Sequence, residues 1–217
     1  MNNPTGGHLA AASETVITDR DSLRAIIGDP HSTVLDKDIG RIDAHVCAFI
    51  ACAPLALLAT SGADGSCDVS PRGERPGGFH VLDEHTLALP ERPGNRRADS
   101  LVNIIDHPQV GLLFCVPGRE EVVRVNGHAE LVAAAPFLAD MAVNGRMPKL
   151  AIRVYAREVF FHCAKALRRS SLWHPHAWPD ASGLASLGRV LKDQLRVDET
   201  ADRIDAGLRH DAETNLY

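Results

Sequence analysis

The 217-residue chain lacks any apolar run near the ~20 residues that a membrane-spanning helix needs, which leaves no candidate span. Residues 1–12 have no basic segment leading into an apolar core; they read as a disordered tail and not as a secretory signal. There is no C-x-x-C: the five cysteines, Cys47, Cys52, Cys67, Cys115 and Cys163, are odd in number, fit a reduced cytoplasm and match no common zinc spacing. Most of them read as small core hydrophobes. Excess positive charge is also missing, since 23 Lys and Arg against 28 Asp and Glu give a net charge of −5. That argues against nucleic-acid or anionic-membrane binding, which need a broad basic field. Neither G-x-x-x-x-G-K-[ST] nor G-x-G-x-x-G occurs, and Ser66 and Ser70 do not lie in a G-x-S-x-G elbow, so the usual nucleotide loops and a serine hydrolase have no support.

What is present is a local exception to the acidic balance: Arg92-Pro93-Gly94-Asn95-Arg96-Arg97. The spacing of Ala98, Leu101, Ile104 and Ile105 predicts a helix starting near Asn95, with Asn95 as its N-cap. Cations at a helix start oppose the macrodipole, while the free N–H groups there suit an anion. The pair Arg96 and Arg97 therefore suggests a phosphate site. The plain alternative is a solvated face paired with Asp99 or Glu91. Arg72 has the same alternative beside Glu74, and Arg124 beside Glu130 or Asp140.

Around this segment the pattern is a meander. Helices are predicted over Asp19–Ile27 and Asp36–Ala53, the latter from Ile39, Ile42, Val46, Phe49 and Ile50. Strands follow over Leu55–Thr60, Cys67–Arg72, Phe79–Leu82 and Thr86–Leu89, with Asp64-Gly65 as a hairpin turn. Val110–Val116, a long strand Glu121–Val132 interrupted by Gly127, and Leu150–Phe161 complete the strands. A short helix over Ala135–Val143 and two closing helices, Leu184–Leu195 and Glu199 to about Asn215, remain. Antiparallel strands with few helices imply a mainly β protein built on a small β-barrel. The expected organisation is a tail and short helix over 1–35, a barrel over 36–178, and a helical extension over 179–217.

Val69-Ser70-Pro71-Arg72-Gly73, the Arg92–Arg97 segment, Pro108–Phe114 and Arg124-Val125-Asn126-Gly127-His128 occur in one order. In that order the chain resembles the pyridoxamine 5′-phosphate oxidase-like split-barrel flavoproteins, and most of all the branch with S-P-R-G, R-P-G-N-x-R and a late S-x-L-W. The resemblance spans roughly Ala53 to Pro175. It implies a six-stranded antiparallel split β-barrel, a homodimer, and FMN in two clefts between subunits. It further implies that Arg96 and Arg97, with Asn95 beside them, hold the FMN phosphate and that Arg72 approaches the phosphate or ribityl chain. Val69, Ser70 and Pro71 would run beside the isoalloxazine edge, with Ser100 and Asn103 as polar contacts. Arg124, Lys165, Arg168 and Trp173 are further candidates, Trp173 against the partner's flavin. The function implied is hydride transfer through flavin N5 to or from a small molecule, by a cytoplasmic protein with no nucleic-acid or membrane partner. Alternatives on the same scaffold are flavin storage or redox sensing, or a haem or deazaflavin ligand. The second strand lacks the R-x-V-L of true pyridoxamine phosphate oxidases, and the C-terminal region lacks their Trp and Arg-x-His substrate motif, so the cofactor carries over and vitamin B6 oxidation does not. No side chain is assigned as catalytic acid or base. Cys163 beside His162 raises a thiol nucleophile, weighed against a buried or interface cysteine, and His174-Pro175-His176 raises a metal pair, weighed against a surface turn.

Overall fold

A computed structural model describes residues 15–217. The expectation for residues 1–12 lies outside the described residues. The chain divides into two compact units, Met1–Lys37 and Asp38–Tyr217. In the first, α1 (Arg20–Ile27) is capped by Asp19, whose carboxylate accepts from the Ser22 N–H at 2.8 Å, and α2 (Ser32–Asp36) is a single turn of helix. Neither helix buries a residue.

The second unit begins with α3 (Ala44–Cys52), capped by Asp43. The helix expected from Asp36 onward does not run through residues 37–43. Gly40 takes φ +61°, and the backbone there serves the sheet instead. The Ile42 N–H bonds to the Glu84 carbonyl at 2.6 Å, and Asp38 accepts from the Val159 N–H at 2.8 Å. Ile42, Val46 and Ile50 are still buried together with Phe49 packed against them, while Ile39 is exposed, so the apolar spacing from Ile42 onward marks the buried face and tertiary pairing overrides the helix before it.

Seven strands follow: β1 (Leu55–Ser61), β2 (Cys67–Gly73), β3 (His80–Asp83), β4 (Thr86–Pro90), β5 (Gln109–Cys115), β6 (Val122–Val132) and β7 (Ala151–His162). Between them lie α4 (Asp99–Asp106) and α5 (Phe137–Asp140). All strand pairs are antiparallel, in the order β2-β1-β5-β6-β7-β4-β3. This is the split barrel, with one strand more than the six implied. Its interior takes every second residue of each strand, for example Ala56 and Leu58, Leu112 and Phe114, Val123 and Val125, Ile152 and Val154, as a pleated strand dictates. β4 is buried on both faces: Ala88 packs outward under Leu138 and Met141 of the α5 region.

Gly127 does not interrupt β6. The irregularity falls opposite it, where Arg157 of β7 is the extra residue between the pairs Asn126–Glu158 and Gly127–Ala156. A Cβ on Gly127 would stand 2.0 Å from the Tyr155 carbonyl oxygen, so only glycine lets the two backbones approach this closely. Beyond β7 come α6 (Lys165–Ser170), which the sequence pattern did not predict, a 3₁₀ turn at Pro175–Ala177, and the hairpin of α7 (Leu187–Leu195) and α8 (Ala201–Thr214). That hairpin is pinned at Gly188, whose N–H donates to Asp205 at 2.7 Å.

The cysteines differ from expectation. Cys47, Cys52, Cys67 and Cys163 are exposed and only Cys115 is partly buried, all five being free. Cys47 and Cys52 lie on α3 away from Val46 and Ile50, and Cys67 opens the edge strand β2 on its outer face. No helix among the described residues is long and apolar enough to cross a membrane.

Candidate functional site

β2 is an edge strand, and its inward positions are polar. Asp68, Ser70 and Arg72 alternate on the face that pairs with Thr60, Leu58 and Ala56 of β1. An unbroken chain of hydrogen bonds runs along them. Asn103 donates to the Thr60 hydroxyl at 3.0 Å, and Thr60 donates to one oxygen of Asp68. Ser100 donates to the other Asp68 oxygen at 3.1 Å and lies 3.0 Å from the Ser70 hydroxyl. Arg72 donates through Nε to Ser70 at 3.2 Å and through Nη1 to Glu91. Asp68 thereby fastens the first turn of α4 to β2. A carboxylate with both oxygens hydrogen-bonded holds such a geometry more firmly than neutral partners do.

The two ends of the sheet are joined here. β2 is one terminal strand, and β4 lies next to the other. Arg72, at the end of β2, meets Glu91, just past β4, while Glu74, just past β2, meets Arg92. The polarity of the two pairs is opposite. The Glu74 side chain is 1% exposed and that of Arg92 13%. Arg92 grips Glu74 through Nε and Nη2 and also donates to the Met141 carbonyl at 2.9 Å. Its guanidinium stands 5.3 Å from the Tyr217 ring centroid. Arg92 is committed to the fold, whereas Arg72 meets Glu91 through one nitrogen, their side chains 17% and 26% exposed, and is otherwise held by its Nε bond to Ser70.

Arg96 and Arg97 precede α4 and do not open it. The N-cap is Ala98, at φ +62° and with no side-chain capping bond. Asn95 does not cap the helix; its side chain accepts from the Arg97 N–H at 3.0 Å and so shapes the arginine pair itself. Arg96 is held at φ +61°, a conformation that costs a non-glycine residue on the order of 1 kcal/mol. Arg97 pairs with Asp99, both exposed. Among the described residues, Arg96 has no ion-pair partner.

The structure thus brings Ser70, Arg72, Ser100 and Asn103 into one network, with Asn95, Arg96 and Arg97 at the adjoining helix start. Val69 and Pro71 face outward on β2, Val69 being strongly exposed. The remaining candidates lie elsewhere in the chain. Arg124 points to the outer face of β6, 3.8 Å from Glu158 and over the Phe160 ring, not toward Glu130 or Asp140. α6 and the segment after it clasp the β5–β6 turn: Arg168 pairs with Glu120, and the Trp173 indole donates to the Arg119 carbonyl at 2.7 Å. Lys165 opens α6. His174 lies 3.9 Å from Glu120, and no group of metal-ligating side chains occurs among the described residues.

A depression of about 600 Å³ lies at the other end of α4, between Ile104, Ile105, Pro108, His128 and Tyr155. His128 stacks on Tyr155 at 4.9 Å, and its Nδ1 is buried without a hydrogen bond. Hydrogen bonds from Tyr155 and Arg153 hold the Glu130 carboxyl below its usual range, and the same bond to Glu130 pushes the Tyr155 phenol up. Burial raises the Cys115 thiol. The depression holds no cluster of cations, so the charge arrangement at the start of α4, not concavity, marks the candidate anion site.

Thr60 and Asp68 escaped the sequence reading, and Glu74 and Glu91 entered it only as partners of other arginines, Glu74 beside Arg72 and Glu91 beside Arg96 and Arg97, where the structure pairs Glu74 with Arg92 and Glu91 with Arg72. Asp68 carried a usable signal, because Asp68, Ser70 and Arg72 repeat with the strand period. Nothing local pointed Glu74 and Glu91 to their actual partners, which lie across the junction of the sheet's two ends.

Solved structures align with parts of this chain. HupZ of Group A Streptococcus aligns at 22% identity and TM-score 0.45, over 55% of this chain and 93% of that one. General stress protein 26 of Bacillus anthracis aligns at 15% identity and TM-score 0.41, over 52% and 87%. An FMN-binding protein of Syntrophomonas wolfei aligns at 11% identity and TM-score 0.42, over 66% and 96%. Among curated proteins no match is found. Residues 42–163, more than half of the chain and nearly all of the barrel, match the pyridoxamine 5′-phosphate oxidase family, and with the S-P-R-G strand and the arginine loop in place around that barrel, the chain belongs to this family.

Proposed function

We propose that this protein binds FMN at the start of α4 and acts, as a cytoplasmic homodimer, as an oxidoreductase on a small molecule. The observation that carries the proposal is the hydrogen-bonded set of Ser70, Arg72 and Ser100 at a helix start that has no side-chain cap, with Arg96 and Arg97 in the loop just ahead of it. The first helical bonds run to the Ala98 carbonyl from Leu101 and Val102, so the preceding N–H groups of Asp99 and Ser100 are orphan donors. A phosphate monoester fits this set. It offers several strong acceptors, and guanidinium forks match it bidentately.

FMN supplies hydride-transfer chemistry when bound, and the protein binds, orients and shields it. Arg96 and Arg97 would hold the phosphate, and Asn95 would fix the turn between them. Ser100 and Asn103, locked through Asp68 and Thr60, would keep the helix start in register with Arg72. β2, with one edge unpaired, offers backbone groups at Val69, Ser70 and Pro71 to a planar ring. A cleft that closes only between subunits is an open surface in one, and Arg124, Lys165, Arg168 and Trp173 are its proposed contributors from the partner.

The test is the absorption spectrum of the purified protein. A flavin spectrum, with FMN released on denaturation, supports the reading. Colourless protein that takes up no added FMN overturns it, and a haem or deazaflavin spectrum reassigns the ligand. Reoxidation in repeated turnover after reduction by NAD(P)H separates an enzyme from a storage or sensing protein.

A further inference from the structure

Two of the three arginines that a phosphate would use are paired internally, Arg72 with Glu91 and Arg97 with Asp99, and the neighbouring Arg92 is paired with Glu74. These pairs are not equivalent. The Arg92–Glu74 pair is two-pronged, desolvated and backed by the Met141 carbonyl, so it serves as the permanent bridge between the two ends of the sheet. Arg72–Glu91 crosses the same junction beside it, but through one nitrogen, and both side chains reach solvent. The Glu91 backbone is fixed, its N–H bonded to the Leu150 carbonyl at 3.0 Å. Its carboxylate is therefore held where an anion approaching Arg72 must come. A carboxylate and a phosphate present the same kind of oxygen acceptors to a guanidinium, and two anions at one fork repel.

We propose that Glu91 is a built-in competitor for the anion at Arg72, and that it sets how strongly the site prefers a phosphorylated flavin over the same flavin without phosphate. The inference rests on the FMN reading above. Because Glu74–Arg92 bridges the ends of the sheet independently, Glu91 can give up Arg72 without opening the barrel. Arg72 stays anchored through Nε to Ser70 as the exchange occurs, which leaves its two outer amino groups for the phosphate. Ser70 and Asp68 hold the rest of the network in place.

The experiment titrates full-length wild type and Glu91→Gln with FMN and, separately, with riboflavin, following flavin fluorescence. Removing a nearby like charge at a partly solvated site is expected to tighten FMN roughly tenfold and to leave riboflavin unchanged. Arg72→Gln removes the shared fork, so in that background Glu91→Gln is expected to have little effect on FMN; a full effect there would overturn the mechanism. FMN affinity that is unchanged or weaker in Glu91→Gln overturns the proposal, as does an equal gain for riboflavin. A thermal melt of each variant checks that the barrel is intact. If Glu91→Gln fails to fold, the pair is a structural bridge and the proposal is wrong. Wild type that binds neither flavin would instead refute the underlying FMN reading, and the proposal with it.

Discussion

Arg92 and Arg97 belong to one short loop yet have opposite fates, and burial decides which. Arg92→Ala leaves the Glu74 carboxylate, 1% exposed, without its partner. The expected cost is about 3–5 kcal/mol, the range for breaking one side of a buried pair, read from urea unfolding. Arg97→Ala breaks an exposed pair and is expected to move stability by less than about 0.5 kcal/mol. Equal losses would contradict the division between a buried structural arginine and an exposed one. Sequence alone set Arg92 apart from the other two only through the family pattern; the carboxylate that claims it lies on the far end of the sheet and left no local trace. Tyr155 gives a separate test. Its phenol donates to Glu130 at 2.6 Å, which places its ionisation above the usual tyrosine value of about 10. The stabilising contribution is then complete below the unfolded-state value and is lost as pH rises through the folded one. In an ultraviolet titration, Glu130→Gln is expected to bring the Tyr155 transition to lower pH; no movement would mean that the bond does not form in solution.

At the scale of elements, β6 and β7 show what periodicity can and cannot reveal. Val123 and Val125 alternate with Arg124 and Asn126, and the valines are buried while the polar pair faces out, as side chains on a strand must alternate. The same pattern could not place the bulge, which arises in the partner strand at Arg157. Gly127→Ala would press a methyl group into the Tyr155 carbonyl, which as backbone cannot step aside. It is expected to destabilise by about 1–3 kcal/mol in a thermal or denaturant melt, and a neutral result would contradict the close approach. α4 shows a different limit. Its apolar spacing was readable, and Leu101 and Ile104 do pack on the core. Its true start at Asp99 was not, because Asn95 spends its side chain on the Arg97 N–H and an alanine in left-handed geometry takes the cap. That displacement bears on function: the arginines stand on a loop ahead of the helix, where they can turn toward a ligand.

At the scale of the molecule, the barrel is an open sheet whose ends meet through two ion pairs of opposite polarity, and the candidate anion site grows out of that junction. The fold was largely legible, since all seven strand segments follow from apolar runs, alternation and turn signals. The candidate site was half legible: Arg72, Ser70, Ser100 and the arginine pair came from motif order, while the pairings of Glu91 with Arg72 and of Glu74 with Arg92 depend on long-range closure. The central claim is that the start of α4, with Arg96 and Arg97, grips a flavin phosphate. Its most direct test compares the affinities of FMN and riboflavin for wild type and for the double variant Arg96→Ala/Arg97→Ala, by fluorescence titration. At about 1.5–3 kcal/mol per charge-assisted hydrogen bond, the account predicts that the variant loses FMN affinity on the order of a thousandfold while its riboflavin affinity stays where it was. Unchanged FMN affinity in the variant, or wild type that binds FMN no better than riboflavin, would contradict it.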